Sequence, residues 1–198
     1  IGIVNQYGHD FMNIFYTEAN TRSRTLLGIG SQLSAQYTRQ SSVGDELGGD
    51  FDTWSYGLKT AASYAGVVLS LAYTSTSGDR GIISPWGGRP SYLSIMIEDF
   101  DRADEDAWLI GISSNFSHLN IKGLSAFANF AIGDTPDNGR NASPDQKELD
   151  FTVDYRVQDG PFEGLSMRLR QANLMRDGGD TNNVRDLRAI INYTLPLN

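Results

Sequence analysis

The chain has 198 residues, enough for one sizeable domain, and carries a formal net charge of -8. This charge argues against nucleic acid as the main partner, because phosphate binding requires a basic surface. Cysteine is absent, which excludes disulfides, thiolate chemistry and cysteine-based metal sites. The sequence contains no recognisable signal peptide and starts at Ile1 without Met, so we expect a chain that is processed, cut from a longer protein, or both.

Alternation of apolar and polar residues with a period of two dominates the chain and predicts β-strands. The predicted strands are about 10 residues or longer, whereas ordinary strands have ~5–6 residues and membrane-spanning strands need ~9–11. In chain order they cover residues 10–19, 24–38, 51–64, 65–77, 106–116, 123–133, 147–157, 164–175 and 185–197.

One row of side chains in most of these strands is apolar with aromatic residues near its ends, and the other row is polar. This pattern predicts the lipid-facing band and the aromatic girdles of an antiparallel transmembrane β-barrel. The alternative is a soluble β-sandwich binding domain, in which the apolar rows would meet across a core. Strand length and the aromatic ends favour the membrane. The apolar rows include Trp54, Tyr56 and Leu58; Val67, Leu69, Leu71 and Tyr73; Trp108, Ile110 and Ile112; Phe151, Val153 and Tyr155; and Leu187, Ala189, Ile191 and Tyr193.

The connections alternate as in outer-membrane barrels, where periplasmic turns are short and extracellular loops are long. With a periplasmic C-terminus, residues 20–23, 63–66, 117–122 and 158–163 are predicted periplasmic turns. Residues 78–105 then form one extracellular loop of ~28 residues, which is beyond the usual ~12–15 and suggests a functional loop folded into the pore. The count of about nine strands is odd, whereas single-chain bacterial barrels have even counts, so we expect part of a larger barrel.

Arg168 and Arg170 alternate with Met167 and Leu169, so the two arginines share one face of their strand. A Lys or Arg on the lipid face costs ~2–4 kcal/mol near the membrane midplane. The pair must therefore face the lumen of a barrel.

The same alternation places Arg156 and Arg188 on the lumen side of the neighbouring strands and Lys59 on a more distant polar row. Guanidinium groups bind carboxylates, and a contact at 4 Å in bulk water is worth only ~1 kcal/mol, which permits entry and exit. We therefore predict a ladder for anions. The alternative is that the arginines only neutralise Asp150 and Asp154 across the strands.

Catalytic and metal sites have weaker support. His9 stands beside Asp10 near the outer end of the first strand, which leaves an outer-membrane protease at the barrel rim as a third hypothesis. His118 falls in a periplasmic turn. The acidic clusters at 99–106 and 134–137 lack EF-hand spacing, so we assign no metal site, and no motif implies a cofactor.

Residues from Trp86 to the C-terminus resemble the C-terminal half of the OprD-type, substrate-specific porins of pseudomonads. The combination of GLSAFAN, DTPDNGRNASPDQ and ELDFTVDYR carries the resemblance, and INYTLPLN resembles the last strand of the family. The resemblance implies an eighteen-stranded barrel, monomeric or weakly trimeric, in the lipid and lipopolysaccharide of the Gram-negative outer membrane. It also implies passage of small carboxylate-bearing solutes, either basic amino acids or aromatic and other organic acids.

Individual residues of the family pattern also match. Arg168, Arg170 and Arg188 correspond to its basic ladder, and the loop 78–105 corresponds to a loop that contributes to the constriction. In that loop we expect the groups that oppose the ladder to be Asp99, with Ser84 and Tyr92 behind it. The chain departs from the family in lacking an N-terminal half and in ending at Asn198. Together, the residues and the resemblance predict a passive, substrate-selective porin rather than an enzyme.

Overall fold

The computed structural model describes residues 1–25, 28–87, 90–178 and 183–194. Within these residues, all strands belong to one antiparallel sheet in which each strand pairs with the next along the chain. No helix in the described part is long and apolar enough to cross a membrane. The strands are β1 (Gly2–Gly8), β2 (Met12–Arg24), β3 (Gly30–Ser42), β4 (Asp52–Tyr64), β5 (Val67–Gly78), β6 (Asp106–Asn115), β7 (Leu124–Asp134), β8 (Gln146–Arg156), β9 (Leu165–Arg176) and β10 (Val184–Tyr193), with a 3-10 helix at Phe116–Leu119.

The all-β, antiparallel prediction is confirmed, whereas the soluble sandwich is wrong because the described strands form one sheet rather than two packed sheets. The sheet has ten strands rather than about nine. The additional strand is β1, a short edge strand whose residues are mostly exposed and lack a clear alternation. The even count removes the parity reason for expecting a larger barrel.

One predicted turn is wrong. Residues 20–23 lie inside β2, which continues to Arg24, and β3 begins only at Gly30. In the sequence NTRSRTLLG, the polar residues that suggest a turn come first and the apolar residues follow. The turn was therefore predicted too early in the chain, before the actual end of β2 at Arg24. The last strand was predicted over 185–197, and the part of it beyond residue 194 lies outside the described residues.

The register separates the side chains into an apolar face and a polar face, and both follow the predicted rows. On β6 the apolar face carries Trp108, Ile110 and Ile112, which are 53%, 59% and 50% exposed. No layer of described residues covers these side chains, and a contiguous apolar surface of this extent marks an interaction with lipid or another apolar partner.

The polar face is partly covered by the long connection between β5 and β6, residues 79–105, which we call the inner loop. Leu93 and Phe100 of this loop are buried against Ala72, Leu109 and Ala131 of the sheet. The apolar side chains at these three positions, two of them alanines, interrupt the polar row and provide an apolar surface on which the loop packs. The core of the molecule therefore lies between the inner loop and the polar face.

The exposed apolar face leads to a prediction about stability in lipid. Ile110→Arg places a charge against the bilayer and should lower the free energy of unfolding from lipid vesicles by ~2–4 kcal/mol. Ser113→Arg is the control, because Ser113 is on the same strand but on the polar face. Urea titration of both variants in vesicles measures the difference. Equal losses in the two variants would show that the faces are wrongly assigned.

Candidate functional site

The predicted basic residues of β8, β9 and β10 converge on the polar face. Across the β8–β9 ladder, Thr152 lies opposite Arg170 and Asp154 lies opposite Arg168. Across the β9–β10 ladder, Arg170 lies opposite Arg188. Directly opposite residues on one face have Cβ atoms ~4.5–5.5 Å apart. The structure therefore brings the arginines of three adjacent strands into one continuous patch.

Two of these arginines are neutralised by aspartates on the same face. The Nε of Arg168 lies 2.5 Å from Oδ1 of Asp154. The Nη2 of Arg188 lies 2.5 Å from Oδ2 of Asp186 on its own strand. The first pair matches the neutralisation alternative, whereas the sequence reasoning did not consider Asp186.

Arg156 and Arg170 form no ion pair with any described residue. Arg170 is partly buried, and its Nε is buried without a hydrogen-bond partner among the described residues. Asp150 interacts with Arg170 and Arg188 electrostatically rather than through a direct ion pair. Asp154 therefore neutralises Arg168, whereas Arg156 and Arg170 keep a positive charge without an ion-pair partner among the described residues.

Lys59 and Tyr92, which were predicted separately, lie together. The Nζ of Lys59 lies 5.9 Å from the centre of the Tyr92 ring, which is within reach of a cation–π interaction. Burial raises the pKa of the Tyr92 hydroxyl above its ordinary value, so the hydroxyl remains protonated near neutral pH. Its oxygen is buried and has no hydrogen-bond partner among the described residues.

Among the described residues, Ser84 and Asp99 form no hydrogen bond or ion pair with the arginine patch. Ser84 is exposed at the mouth of a cavity of about 230 Å³ between the inner loop and β1–β3, lined also by Ile14, Tyr16 and Trp86. Asp99 is exposed and accepts a hydrogen bond from the hydroxyl of Ser94. The side chains proposed to oppose the ladder thus occupy different parts of the inner loop.

Two buried carboxylates of β8 hold the middle of the inner loop. The Glu148 carboxylate accepts the backbone N–H groups of Ile97 and Glu98, at 2.8 and 2.9 Å. Oδ2 of Asp150 accepts the backbone N–H of Met96 at 2.9 Å. Sequence reasoning placed Asp150 on the polar face and missed Glu148. The available signal was that Glu148 alternates in phase with Asp150.

Further contacts secure the flanks of the inner loop. The Gln40 side-chain amide donates to the Ile83 carbonyl at 2.7 Å and accepts the Ile83 N–H at 3.0 Å. Arg176 of β9 forms an ion pair with Glu98. Glu105 is fully buried and pairs with Arg102 at 2.7 Å. Polar side chains of the sheet therefore replace water as the partners of the loop backbone.

The two histidines do not form one site. The Nδ1 of His9 lies 2.7 Å from Oδ2 of Asp10 in the β1–β2 turn. The Nδ1 of His118 lies 2.7 Å from the Asn115 carbonyl, at the opposite end of the strands. In the part of the chain that the structure describes, no group of three or more Asp, Glu or His residues is arranged to hold a metal ion.

Comparison with known proteins identifies the family. Residues 5–197 match the model of the family described as outer membrane porin, OprD family. The chain belongs to the OprD family. The predicted family, the all-β barrel fold and the outer membrane of Gram-negative bacteria as its location are thereby confirmed.

Individual proteins of Pseudomonas align with almost the whole chain. Porin D of Pseudomonas aeruginosa is 25% identical, over 96% of this chain and 49% of its own length. The crystal structure of OccK9 (OpdG) from the same species has a TM-score of 0.91 at 24% identity, with 98% of this chain and 50% of that chain covered. The structure of Pseudomonas aeruginosa OpdK with vanillate has a TM-score of 0.89 at 20% identity, with 96% and 51% covered.

The chain spans about half the length of Porin D and of these two structures. Its ten-stranded sheet therefore corresponds to about half of a porin barrel. In such a barrel the apolar face meets lipid and the polar face lines the lumen. The arginine patch and the inner loop are both on the polar face.

The apolar seat of the inner loop leads to a second prediction. Phe100→Ala leaves a cavity that costs ~3–5 kcal/mol of packing, so protease should cut the inner loop at least about tenfold faster in the folded protein. Trp86→Ala removes an aromatic side chain from the same loop that is 54% exposed, and should change the rate little. Limited proteolysis in detergent measures both rates. Equal protection of the two variants would contradict the docking of Phe100.

Proposed function

We propose that the chain forms part of the wall of a passive diffusion channel for small carboxylate-bearing solutes. The observation that carries the proposal is the arginine patch on the lumen side of three adjacent strands, in which Arg156 and Arg170 have no ion pair among the described residues. A permanent positive charge that is not neutralised by the wall is available to a passing anion.

The partial neutralisation of the arginine charges favours passage of a solute over its tight retention. A channel must bind its solute strongly enough to admit it and weakly enough to release it. Asp154 and Asp186 compete with a solute carboxylate for Arg168 and Arg188. Arg156 and Arg170 then offer stronger contacts, and Arg168 and Arg188 offer weaker ones. Contacts at several positions support a series of sites along the path rather than one tight binding site.

The inner loop narrows the passage in this proposal. The loop is extracellular in origin and folds over the lumen face, where Leu93 and Phe100 anchor it. The Lys59 ammonium group, which lies over the Tyr92 ring, provides a donor on the same polar face, and Ser84 and Asp99 provide polar groups in the exposed part of the loop. These groups would orient a solute whose carboxylate is held by the patch.

The solved relatives are compatible with this solute class. The OpdK structure was determined with vanillate, which carries one carboxylate on an aromatic ring. At 20% identity this similarity shows the fold alone, so the substrate assignment for the present chain rests on its own arginines. Vanillate is nevertheless a suitable probe.

The arginine patch predicts a loss of carboxylate permeation. One contact between unit charges at 4 Å in water is worth ~1 kcal/mol, so Arg170→Ala should lower vanillate permeability roughly fivefold, and adding Arg168→Ala should lower it further. Vanillyl alcohol, which is neutral, should permeate unchanged. Liposomes containing the channel isolated from outer membranes provide the measurement.

Arg185→Ala is the matched control. Arg185 lies on the same strand, β10, but its side chain is on the apolar face, opposite to that of Arg188. Its vanillate permeability should equal that of the unchanged channel. Unaltered vanillate permeability in the Arg168 and Arg170 variants would contradict the proposed ladder.

The Asp154–Arg168 pair predicts the opposite effect from removal of an acid. Asp154→Asn frees Arg168 from its counter-charge and should increase the preference for anions over cations. The reversal potential across a planar bilayer with a KCl gradient should shift toward the chloride potential, and the shift should shrink at high salt. A shift toward potassium would contradict the placement of this pair on the lumen wall.

A further inference from the structure

Three consecutive backbone N–H groups of the inner loop point at two neighbouring carboxylates of one strand. Met96 donates to Asp150, while Ile97 and Glu98 donate to the two oxygens of Glu148, at distances between 2.8 and 2.9 Å. Both carboxylates are almost completely buried, Glu148 at 0% and Asp150 at 1% exposure.

Buried acids are costly unless their oxygens are hydrogen-bonded, so their presence here calls for a role. Apolar packing alone would hold the loop at Leu93 and Phe100, on either side of the 96–98 segment. It would leave the intervening backbone N–H groups without partners, since these point into the sheet rather than to water. The two carboxylates accept hydrogen bonds from those groups. They thereby fix the register of the loop segment relative to β8.

Asp150 also connects the loop to the arginine patch. One of its oxygens accepts the Met96 N–H, and the other is buried without a hydrogen-bond partner among the described residues. Arg170 and Arg188 interact with this carboxylate electrostatically. The ion pair between Glu98 and Arg176 adds a second link between the same loop segment and β9.

We propose that Glu148 and Asp150 form a carboxylate clamp that positions the inner loop over the lumen and thereby determines the width of the passage. Both are positioning residues, since they act on a solute through the loop rather than by touching it. The effect on passage rests on the proposed channel function, whereas the effect on the loop does not.

Accessibility of the loop tests the clamp without measuring transport. Met96 is 7% exposed, and the chain contains no cysteine, so Met96→Cys in a cysteine-free background introduces one shielded thiol. The labelling rate with a water-soluble maleimide is measured in the folded channel isolated from outer membranes. Heat-modifiable gel mobility shows in parallel that the barrel is intact.

The double substitution Glu148→Gln with Asp150→Asn replaces one acceptor oxygen of each side chain with an N–H donor. We expect labelling of the thiol to accelerate at least about tenfold. Glu18→Gln is the matched control, because Glu18 lies on the same face but contacts Tyr16 rather than the loop backbone. It should leave the rate unchanged.

Single variants keep the test decisive if the double variant does not fold. Glu148→Gln should give an intermediate acceleration, and Glu148→Asp, which retains both oxygens, should restore part of the protection. An unchanged labelling rate in folded clamp variants would overturn the clamp. Faster labelling with unchanged vanillate permeability would support the clamp and contradict the constricting role of the loop in the proposed function.

Discussion

The cost of placing a charge against lipid is the constraint on which the rest of the structure depends. Each Lys or Arg on the lipid face near the midplane costs ~2–4 kcal/mol, so a strand of alternating residues must turn its charged side chains away from lipid. In keeping with this constraint, Arg168 and Arg170 lie on the polar face, and Ile110 and its neighbours are exposed on the apolar face. Because every strand pairs with the next in antiparallel register, one assignment propagates across the sheet and collects the arginines of β8, β9 and β10 in one patch.

The same polar face solves a second problem, which is how to hold a long loop inside an aqueous passage. Hydrophobic packing alone would be weak there, because Ala72, Ala107 and Ala131 offer only small surfaces. The sheet supplements it with buried side chains that hydrogen-bond the loop backbone, including Gln40, Glu148 and Asp150. Acids are thus divided between two tasks: some neutralise arginines, and others hold the loop. The acids of the sheet that hydrogen-bond the loop, Glu148 and Asp150, form no ion pair with an arginine among the described residues. This division therefore determines how many arginines remain available to a solute.

Much of the fold could be predicted from the sequence, since a period of two residues directly reports the two faces of a strand. The polar rows of β8, β9 and β10 were predicted residue by residue and the structure reproduces them. The short edge strand β1 was missed because IVNQYG has no clear alternation, and the β2–β3 turn was misplaced because NTRS has the composition of a turn. The site was less accessible to such reasoning. The pairing of Arg188 with Asp186 and the contacts of Glu148 depend on rotamers and on the return of a loop distant in sequence, neither of which alternation records.

The most direct test of the account is a cysteine scan along β9, from residue 165 to residue 170, in the channel reconstituted in lipid. Each single cysteine is treated with a membrane-impermeant thiol reagent, and the labelling rate is recorded. The account predicts labelling at Ser166, Arg168 and Arg170 and protection at Leu165, Met167 and Leu169. Labelling at the second set with protection of the first, or uniform labelling without a period of two, would contradict the assignment of the arginine face to the water-filled lumen.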